Sequence, residues 1–284
     1  FPTMNVFDNI AHPLRRLKLS ENDIRKRVIE IAEMLGIKET LFRKPNELSG
    51  GQMQRVAIAR ALAKDAKIYL MDEPFTNLDA KIREALRVEL KRMQEKLNIT
   101  LLLATPDPVE ALTFGGKVAV INEGKILQFD DVIRIYNEPA DTFVAEYFGY
   151  PPMNLMKGRI TKTDGELVIK TPIFILPCPK QVWERGLQDI IIGVRPDVIK
   201  INEKGDIRFE SNVIMVELVG SDTIVHLPIK GEEKTFRIFV PGKILRYDMG
   251  TRLKCSVNLN DIYLFDPETK KYLGRLDRLI YKEE

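Results

Sequence analysis

Ile68-Tyr69-Leu70-Met71-Asp72-Glu73-Pro74 decides the fold. An apolar run ends in two adjacent carboxylates and a proline. Lys67 to Met71 predicts a short, buried apolar strand that ends in the acids. Thr100 to Ala104 is a continuous apolar run without the acids, the signature of a strand covered on both faces. Between them, Ala80 to Leu97 places Ile82, Leu86, Leu90, Met93 and Leu97 on one face of a long amphipathic helix. Upstream, Gln52 to Lys64 reads as a helix. Residues 21–35 read as another, with Ile24, Val28, Ile31 and Leu35 at helical spacing. Ser20 is its expected N-cap, with Asp23 three residues on, and Gly36 is placed to stop it. Helix, strand, helix, strand in this order implies an α/β domain with a mostly parallel sheet. Acids at the carboxyl end of such a strand lie where open α/β sheets bind ligands. Asp72 suits a Mg²⁺ ion, held directly or through water. Glu73 is placed to orient an attacking water.

The stretch Leu48-Ser49-Gly50-Gly51-Gln52-Met53-Gln54-Arg55 supplies a second kind of chemistry. A Ser-Gly-Gly turn opens directly onto a helix. Glycines let a ligand approach the backbone closely, and the first amides and positive end of the helix favour a phosphate.

After Gly115-Gly116 the pattern changes. Lys117–Ile121 and Lys125–Gln128 flank Asn122-Glu123-Gly124 and predict a β-hairpin. Gly149-Tyr150-Pro151-Pro152 marks a linker, so domains are expected at 1–149 and 150–284. Beyond it no long helical period recurs. Short strands are expected at 167–170, 189–194, 212–218, 223–227, 235–240, 252–257 and 261–264, suggesting a small all-β barrel or sandwich. The composition, 44% hydrophobic and 30% charged, is that of an ordinary soluble globular chain. No apolar run approaches the roughly 20 residues of a membrane span, and no signal peptide is expected. A start at Phe1 rather than Met suggests a chain that begins in mid-sequence. Net charge is +3, and residues 1–150 balance, so composition gives no argument for nucleic acid. Two scattered cysteines, Cys178 and Cys255, suggest a reducing compartment. No Cys/His cluster has metal-site spacing. His12 and His226 are expected to cap or pack, and Arg195 to be a solvated residue of the β domain.

Leu-Ser-Gly-Gly-Gln at 48–52, Leu-Met-Asp-Glu-Pro at 70–74 and Asn77-Leu78-Asp79, in this order, resemble the signature, Walker B and D-loop motifs of ABC transporter ATPases. Phe1 to Ile10 resembles the segment after that family's Q-loop glutamine. Gly193-Val194-Arg195-Pro196-Asp197, Val216 to Asp222 and Leu264-Phe265-Asp266 resemble the accessory TOBE domain, an OB-type β-barrel. Phe143 to Asn154 resembles the joint between the two domains in maltose-importer-like subunits. The resemblance implies a P-loop NTPase-type α/β domain (1–149, the portion after the Q-loop) followed by an OB-like regulatory barrel (150–284). It implies a homodimer closing head to tail around two ATP molecules. Ser49, Gly50, Gly51 and Gln52 would then contact the nucleotide of the opposite subunit. Asp72 would help hold Mg²⁺, Glu73 would be the catalytic carboxylate, and Asp79 would connect the two sites. Permease subunits would dock near Phe1 to Phe7, and an extracytoplasmic substrate-binding protein would act indirectly. The implied location is the cytoplasmic membrane face, and the implied cargo a sugar or polyol.

Two departures stand against this pattern. No Gly-x-x-x-x-Gly-Lys-[Ser/Thr] loop occurs in the sequence, nor the Q-loop glutamine. The expected reason is that the part before Phe1 is not represented, the alternative being a half-subunit without ATPase activity. Where the family has Thr-His-Asp, this chain has Thr105-Pro106-Asp107. Pro106 has neither imidazole nor backbone N–H. Slowed hydrolysis is expected, or a degenerate subunit working in a mixed dimer. A nucleic-acid-binding ABC protein is the weaker rival, because the β domain lacks aromatics clustered among basic residues.

Overall fold

The computed structural model describes residues 1–281 apart from Asp65, Asn77, Asp79 and Asn98. Within Ala80–Leu97 it describes the helix but not the side chains of Lys81, Ile82, Glu89, Met93, Lys96 and Leu97. The assignment of Asp79 to a D-loop therefore lies outside the described residues, as do Ile82, Met93 and Leu97 of the expected apolar face. By packing, the chain divides into two units, Phe1–Phe114 and Gly115–Glu284.

In the first unit, α1 (Val6–Arg16), α2 (Glu21–Met34) and α3 (Gly50–Leu62) precede β1 (Ile68–Asp72), α4 (Ala80–Leu97), β2 (Thr100–Ala104) and α5 (Pro108–Phe114). β1 and β2 pair in parallel, Ile68 opposite Thr100 through Asp72 opposite Ala104, as the apolar runs predicted. α4 is the crossover between them, with Leu86 and Leu90 buried. α2 begins at Ser20, whose Oγ accepts from the Asp23 amide at 3.2 Å. It ends at Gly36, left-handed at φ +62°, with the Ile37 amide reaching the Ala32 carbonyl at 2.8 Å. That pairing satisfies the last carbonyls of the helix. Ile24, Val28 and Ile31 pack with Val6, Ile10 and Leu14 of α1, Val56, Ile58 and Leu62 of α3, and Tyr69, Met71 and Phe75.

One expectation fails here. β2, expected to be covered on both faces, is covered on one, and β1 shares its pattern. Their side chains alternate, with Tyr69 and Met71 buried while Leu70 is 74% and Leu102 64% exposed. The helices of this unit cover one face of the two-stranded sheet, and the apolar residues of the other face stay open.

The second unit opens with β3 (Lys117–Asn122) and β4 (Lys125–Asp131), the antiparallel hairpin expected from the sequence. Its two-residue turn puts Glu123 at φ +47° and Gly124 at φ +73°. Two left-handed residues suit the twist of the flanking strands. α6 (Val132–Asn137) and α7 (Thr142–Tyr147) follow. The remainder is β-rich: β5 (Asn154–Thr163), β6 (Glu166–Lys170), β7 (Ile175–Pro177), α8 (Lys180–Trp183), β8 (Asp189–Val194), β9 (Lys200–Ile201), β10 (Ile207–Asn212), β11 (Met215–Val219), β12 (Asp222–Pro228), β13 (Thr235–Val240), β14 (Arg252–Val257), β15 (Ile262–Phe265), β16 (Tyr272–Arg275) and α9 (Leu276–Ile280). Three sheets form, in the orders β16-β15-β8-β5-β6-β7, β10-β14-β9 and β11-β12-β13. The predicted strand 212–218 is two strands broken at Val213–Ile214, where the Val213 amide still meets the Thr251 carbonyl at 2.9 Å and the Ile214 amide turns to the His226 carbonyl of β12 at 2.9 Å. Asn154 ties two sheets together: its side-chain amide gives to the Arg237 carbonyl and accepts from the Arg237 amide, each at 2.8 Å.

Arg195 overturns its expected place in solvent. It is buried, donates to the carbonyls of Phe148 (2.7 Å) and Tyr136, and lies over the Tyr136 ring. Residues 115–149, read from sequence with the first domain, thus pack with the β-rich unit.

Candidate functional site

The acids sit where the sequence put them, at the carboxyl end of β1. The parallel register carries the geometry: Asp72 lies opposite Ala104, and the Glu73 amide donates to the Ala104 carbonyl at 2.9 Å. Pro106 follows two residues later, so the carboxylate pair and the Thr105-Pro106-Asp107 turn leave the sheet at the same end. Both carboxylate residues are exposed.

Glu73 adopts a left-handed backbone, φ +45°. For a residue with a Cβ this conformation costs about 1–2 kcal/mol and persists only where the surroundings hold it. Here they do. Thr76 donates its amide to the Glu73 carbonyl at 3.2 Å and its hydroxyl to Glu73 Oε2 at 3.0 Å. Phe75 and Leu78 anchor the turn in the core. From α3, Gln54 Nε2 donates to the Glu73 carbonyl at 3.3 Å and to the Pro74 carbonyl.

The Ser-Gly-Gly turn is the N-terminus of α3. Ser49 Oγ accepts from the Gln52 amide at 3.3 Å, and Gln52 Oε1 accepts from the Ser49 amide at 3.0 Å. This reciprocal pair starts the helix. Gly50 and Gly51 occupy its first two positions, where an amide has no acceptor within the helix. The first turn carries no acid, which leaves its positive end uncompensated. A Cβ built on Gly50 would meet nothing within 4 Å, so that backbone lies open to an approaching anion.

The Thr105-Pro106-Asp107 turn is fixed on either side of Pro106. Thr105 Oγ1 accepts from the Asp107 amide at 3.0 Å and donates to buried Glu110, and Asp107 Oδ1 accepts from the Val109 amide at 2.8 Å. Among the described residues no cluster of three or more His, Cys, Asp or Glu could cage a metal. The histidines pack, as expected. His12 meets the Phe1 ring edge-to-face at 5.0 Å, and buried His226 sets Nδ1 2.7 Å from Thr235 Oγ1.

Sequence reasoning found the motif residues and missed Gln54 and Thr76. Gln54 stands in the Leu48–Arg55 stretch with no role of its own, and Thr76 falls between the quoted motifs. No spacing rule signals that a side chain on α3 will reach a turn about 20 residues away.

An α/β unit that offers free helix-terminal amides, with paired acids at the end of a parallel strand, defines a phosphate-binding, nucleotide-handling class of protein. Comparison with known proteins narrows the class. The ABC transporter family model matches residues 1–76. The trehalose/maltose import ATP-binding protein MalK of Thermococcus litoralis is 38% identical over 284 residues, 95% of this chain and 74% of that protein. The oligosaccharides import ATP-binding protein MsmX of Bacillus subtilis is 37% identical, covering 95% of this chain and 75% of MsmX. The sn-glycerol-3-phosphate import ATP-binding protein UgpC of Psychromonas ingrahamii is 37% identical, covering 96% and 73%. The chain belongs to the ABC transporter ATP-binding proteins. Among the described residues no helix is long and apolar enough to cross a membrane.

Proposed function

We propose that this chain is the ATP-binding and ATP-hydrolysing subunit that powers an ABC importer for a sugar or polyol. The observation that carries the reading is the joining, within one unit, of the Ser49–Gly51 helix start and the Asp72-Glu73 strand end through Gln54. The relatives named above import a disaccharide, oligosaccharides and a phosphorylated polyol, which supports a polyhydroxylated cargo.

In this reading two subunits close head to tail. The amides of Gly50 and Gly51 and the hydroxyl of Ser49 meet the terminal phosphate of a nucleotide held by the opposite subunit, with Gln52 beside them. An oxyanion surrounded by preorganised N–H groups is stabilised as charge builds on it in the transition state. Glu73 holds the attacking water and accepts hydrogen bonds from it. Asp79 connects the two sites. Asp72 contributes one carboxylate, directly or through water. That donor set fits Mg²⁺, which keeps several waters and rides on substrate phosphates rather than in an all-protein cage. Closure biases membrane subunits between two states, and hydrolysis releases them. The dimer sits against permease subunits on the cytoplasmic membrane face, and an extracytoplasmic binding protein supplies cargo from the far side. The β-rich part, 150–284, is assigned as an OB-like TOBE regulatory domain following the ATPase portion, 1–149, whose last segment, 115–149, packs with the β-rich part.

The test is steady-state hydrolysis of MgATP by the natural full-length polypeptide assembled with its membrane partners, beside E73Q. The expected outcome is hydrolysis in the wild type and a loss of about 10²–10⁴ in E73Q with nucleotide binding retained. A wild type that binds ATP but hydrolyses it no faster than E73Q overturns the hydrolytic reading.

A further inference from the structure

We propose that Gln54 is a positioning residue that couples the helix start at Ser49–Gly51 to the carboxylate of Glu73. The inference rests on the proposed role of Glu73 as the catalytic carboxylate.

Glu73 is held from several sides. Its backbone is left-handed at φ +45°, so it needs external restraint. Two restraints come from neighbours: the β1–β2 ladder, through the Ala104 carbonyl, and Thr76, through its amide and hydroxyl. Those move with the sheet and the turn. The remaining restraint belongs to a different element. Gln54 projects from α3, and its side-chain amide donates to two successive carbonyls, Glu73 and Pro74. Among the described residues it is the one side chain outside the turn that hydrogen-bonds these carbonyls. An amide NH₂ has two hydrogens, so one glutamine can serve both acceptors.

Position on the helix completes the link. Gln54 lies five residues after Ser49, about 7.5 Å along a rigid α-helix at 1.5 Å per residue. The amides that meet a phosphate and the side chain that grips the Glu73 turn are thus ends of one short lever. A phosphate that draws on the start of α3 pulls on the Glu73 and Pro74 carbonyls. Thr76 Oγ1, on the same turn, then fixes where the carboxylate points. Nucleotide engagement in trans thereby sets the pose of the carboxylate that activates water. The coupling concerns geometry during turnover, so its loss lowers kcat and leaves nucleotide affinity nearly unchanged.

Four proteins decide it, each the natural full-length polypeptide in its membrane complex, assayed for MgATP hydrolysis: wild type, Q54M, Q54K and E73Q. Methionine keeps the volume and removes the donors. Lysine restores a donor able to reach carbonyl oxygens. The expected result for Q54M is a kcat at least tenfold lower with KM for ATP within twofold and an unchanged urea midpoint. Q54K is expected to recover a substantial part of the lost kcat. A Q54M kcat equal to wild type overturns the proposal, as does a fall that Q54K does not reverse. Should Q54M fail to fold, Q54K is read alone: a wild-type kcat supports a donor at this position, and a kcat as low as that of E73Q overturns it. E73Q separates the two levels. If E73Q is inactive while Q54M runs at full rate, the coupling alone fails. If E73Q hydrolyses like wild type, the catalytic reading of Glu73 fails and takes the coupling with it.

Discussion

Arg195 lies over the Tyr136 ring, its guanidinium carbon 3.6 Å from the centroid, while it donates to the backbone carbonyls of Phe148 and of Tyr136 itself. It leaves the end of β8 and straps down the segment that carries α6 and α7. A buried charge here is compensated by carbonyl dipoles and a π face rather than by a carboxylate. Burial also pushes the Tyr136 hydroxyl pKa up, with the Arg195 charge opposing it.

The first prediction follows from that arrangement. R195M removes the donors and leaves buried carbonyls unpaired, a loss of about 2–4 kcal/mol after relief of the desolvation cost. R195K recovers only part, because an ammonium can neither fork to two carbonyls nor stack as a plane. Urea unfolding checks this. The midpoint falls in the order wild type, R195K, R195M with an unchanged slope.

Gly50 offers a prediction in which folding and function separate. It is the first residue of α3, and a Cβ there meets nothing within 4 Å. G50A therefore folds at least as well as wild type. Alanine in place of glycine contributes up to about 1 kcal/mol in a helix. If the open backbone at Gly50 receives a phosphate, the same methyl group stands in its path and ATP-driven turnover falls. Thermal unfolding and hydrolysis measured on one sample give the two answers, and a fully active G50A argues against phosphate contact at this turn.

How legible was this in the sequence? The parts that signalled themselves did so by period and capping. α2 carries a Ser20 cap, a helical apolar stripe and a Gly36 stop, and it folds as read. β2 and β8 are apolar runs, and they are strands. The bounds of α1 do not show in its own periodicity, because Pro13 and buried Asn9 break its apolar pattern. Asn9 satisfies itself inside, giving its amide hydrogens to the carbonyls of Phe1, Met4 and Asn5. β5 was missed because charged residues alternate along it and Gly158 reads as a break. Gly158 is there for packing: a Cβ would stand 2.6 Å from Ile169 Cγ2. Exposure of the second face of β1–β2 could not be read at all. An apolar run announces a preference for burial, not which neighbours meet it. The site divides in the same way. Ser49–Gln52 and Asp72–Glu73 are contiguous motifs, whereas the Gln54 contact joins residues that only the fold brings together.

A third prediction concerns pH. His226 is buried among β11, β12 and β13, with Nδ1 at Thr235 and Nε2 3.3 Å from Glu217 Oε1, outside hydrogen-bonding geometry. Burial pulls its pKa below the ordinary 6.5, with Glu217 raising it and Arg237 lowering it. The sign follows. Above pH 7.5 the imidazole is neutral in both states and contributes nothing to the pH dependence. As pH falls through the ordinary range, the unfolded chain takes up a proton that the folded chain resists, and stability drops until the folded pKa is passed. H226Q removes that proton. The fall in melting temperature between pH 7.5 and 5.5 is expected to be shallower in H226Q. Equal slopes would mean that Glu217 already cancels the burial effect.

Pro106 carries the last prediction. It stands where the family resemblance expects a histidine, and Thr105 and Asp107 hydrogen-bond across its turn. Those two hydrogen bonds use the side chains of Thr105 and Asp107, so they remain available with histidine at position 106. An imidazole there adds a donor near the phosphate that Glu73 is proposed to act upon. One well-placed donor to developing phosphate charge is worth about 10²–10³ in rate. P106H is expected to raise kcat for ATP hydrolysis by about that factor, with KM nearly unchanged, since the gain arises in the transition state. The double variant P106H/E73Q should stay as slow as E73Q, because the added donor assists the water that Glu73 positions and does not replace it. Equal rates in P106H and wild type would show that this chain already places another group against the phosphate.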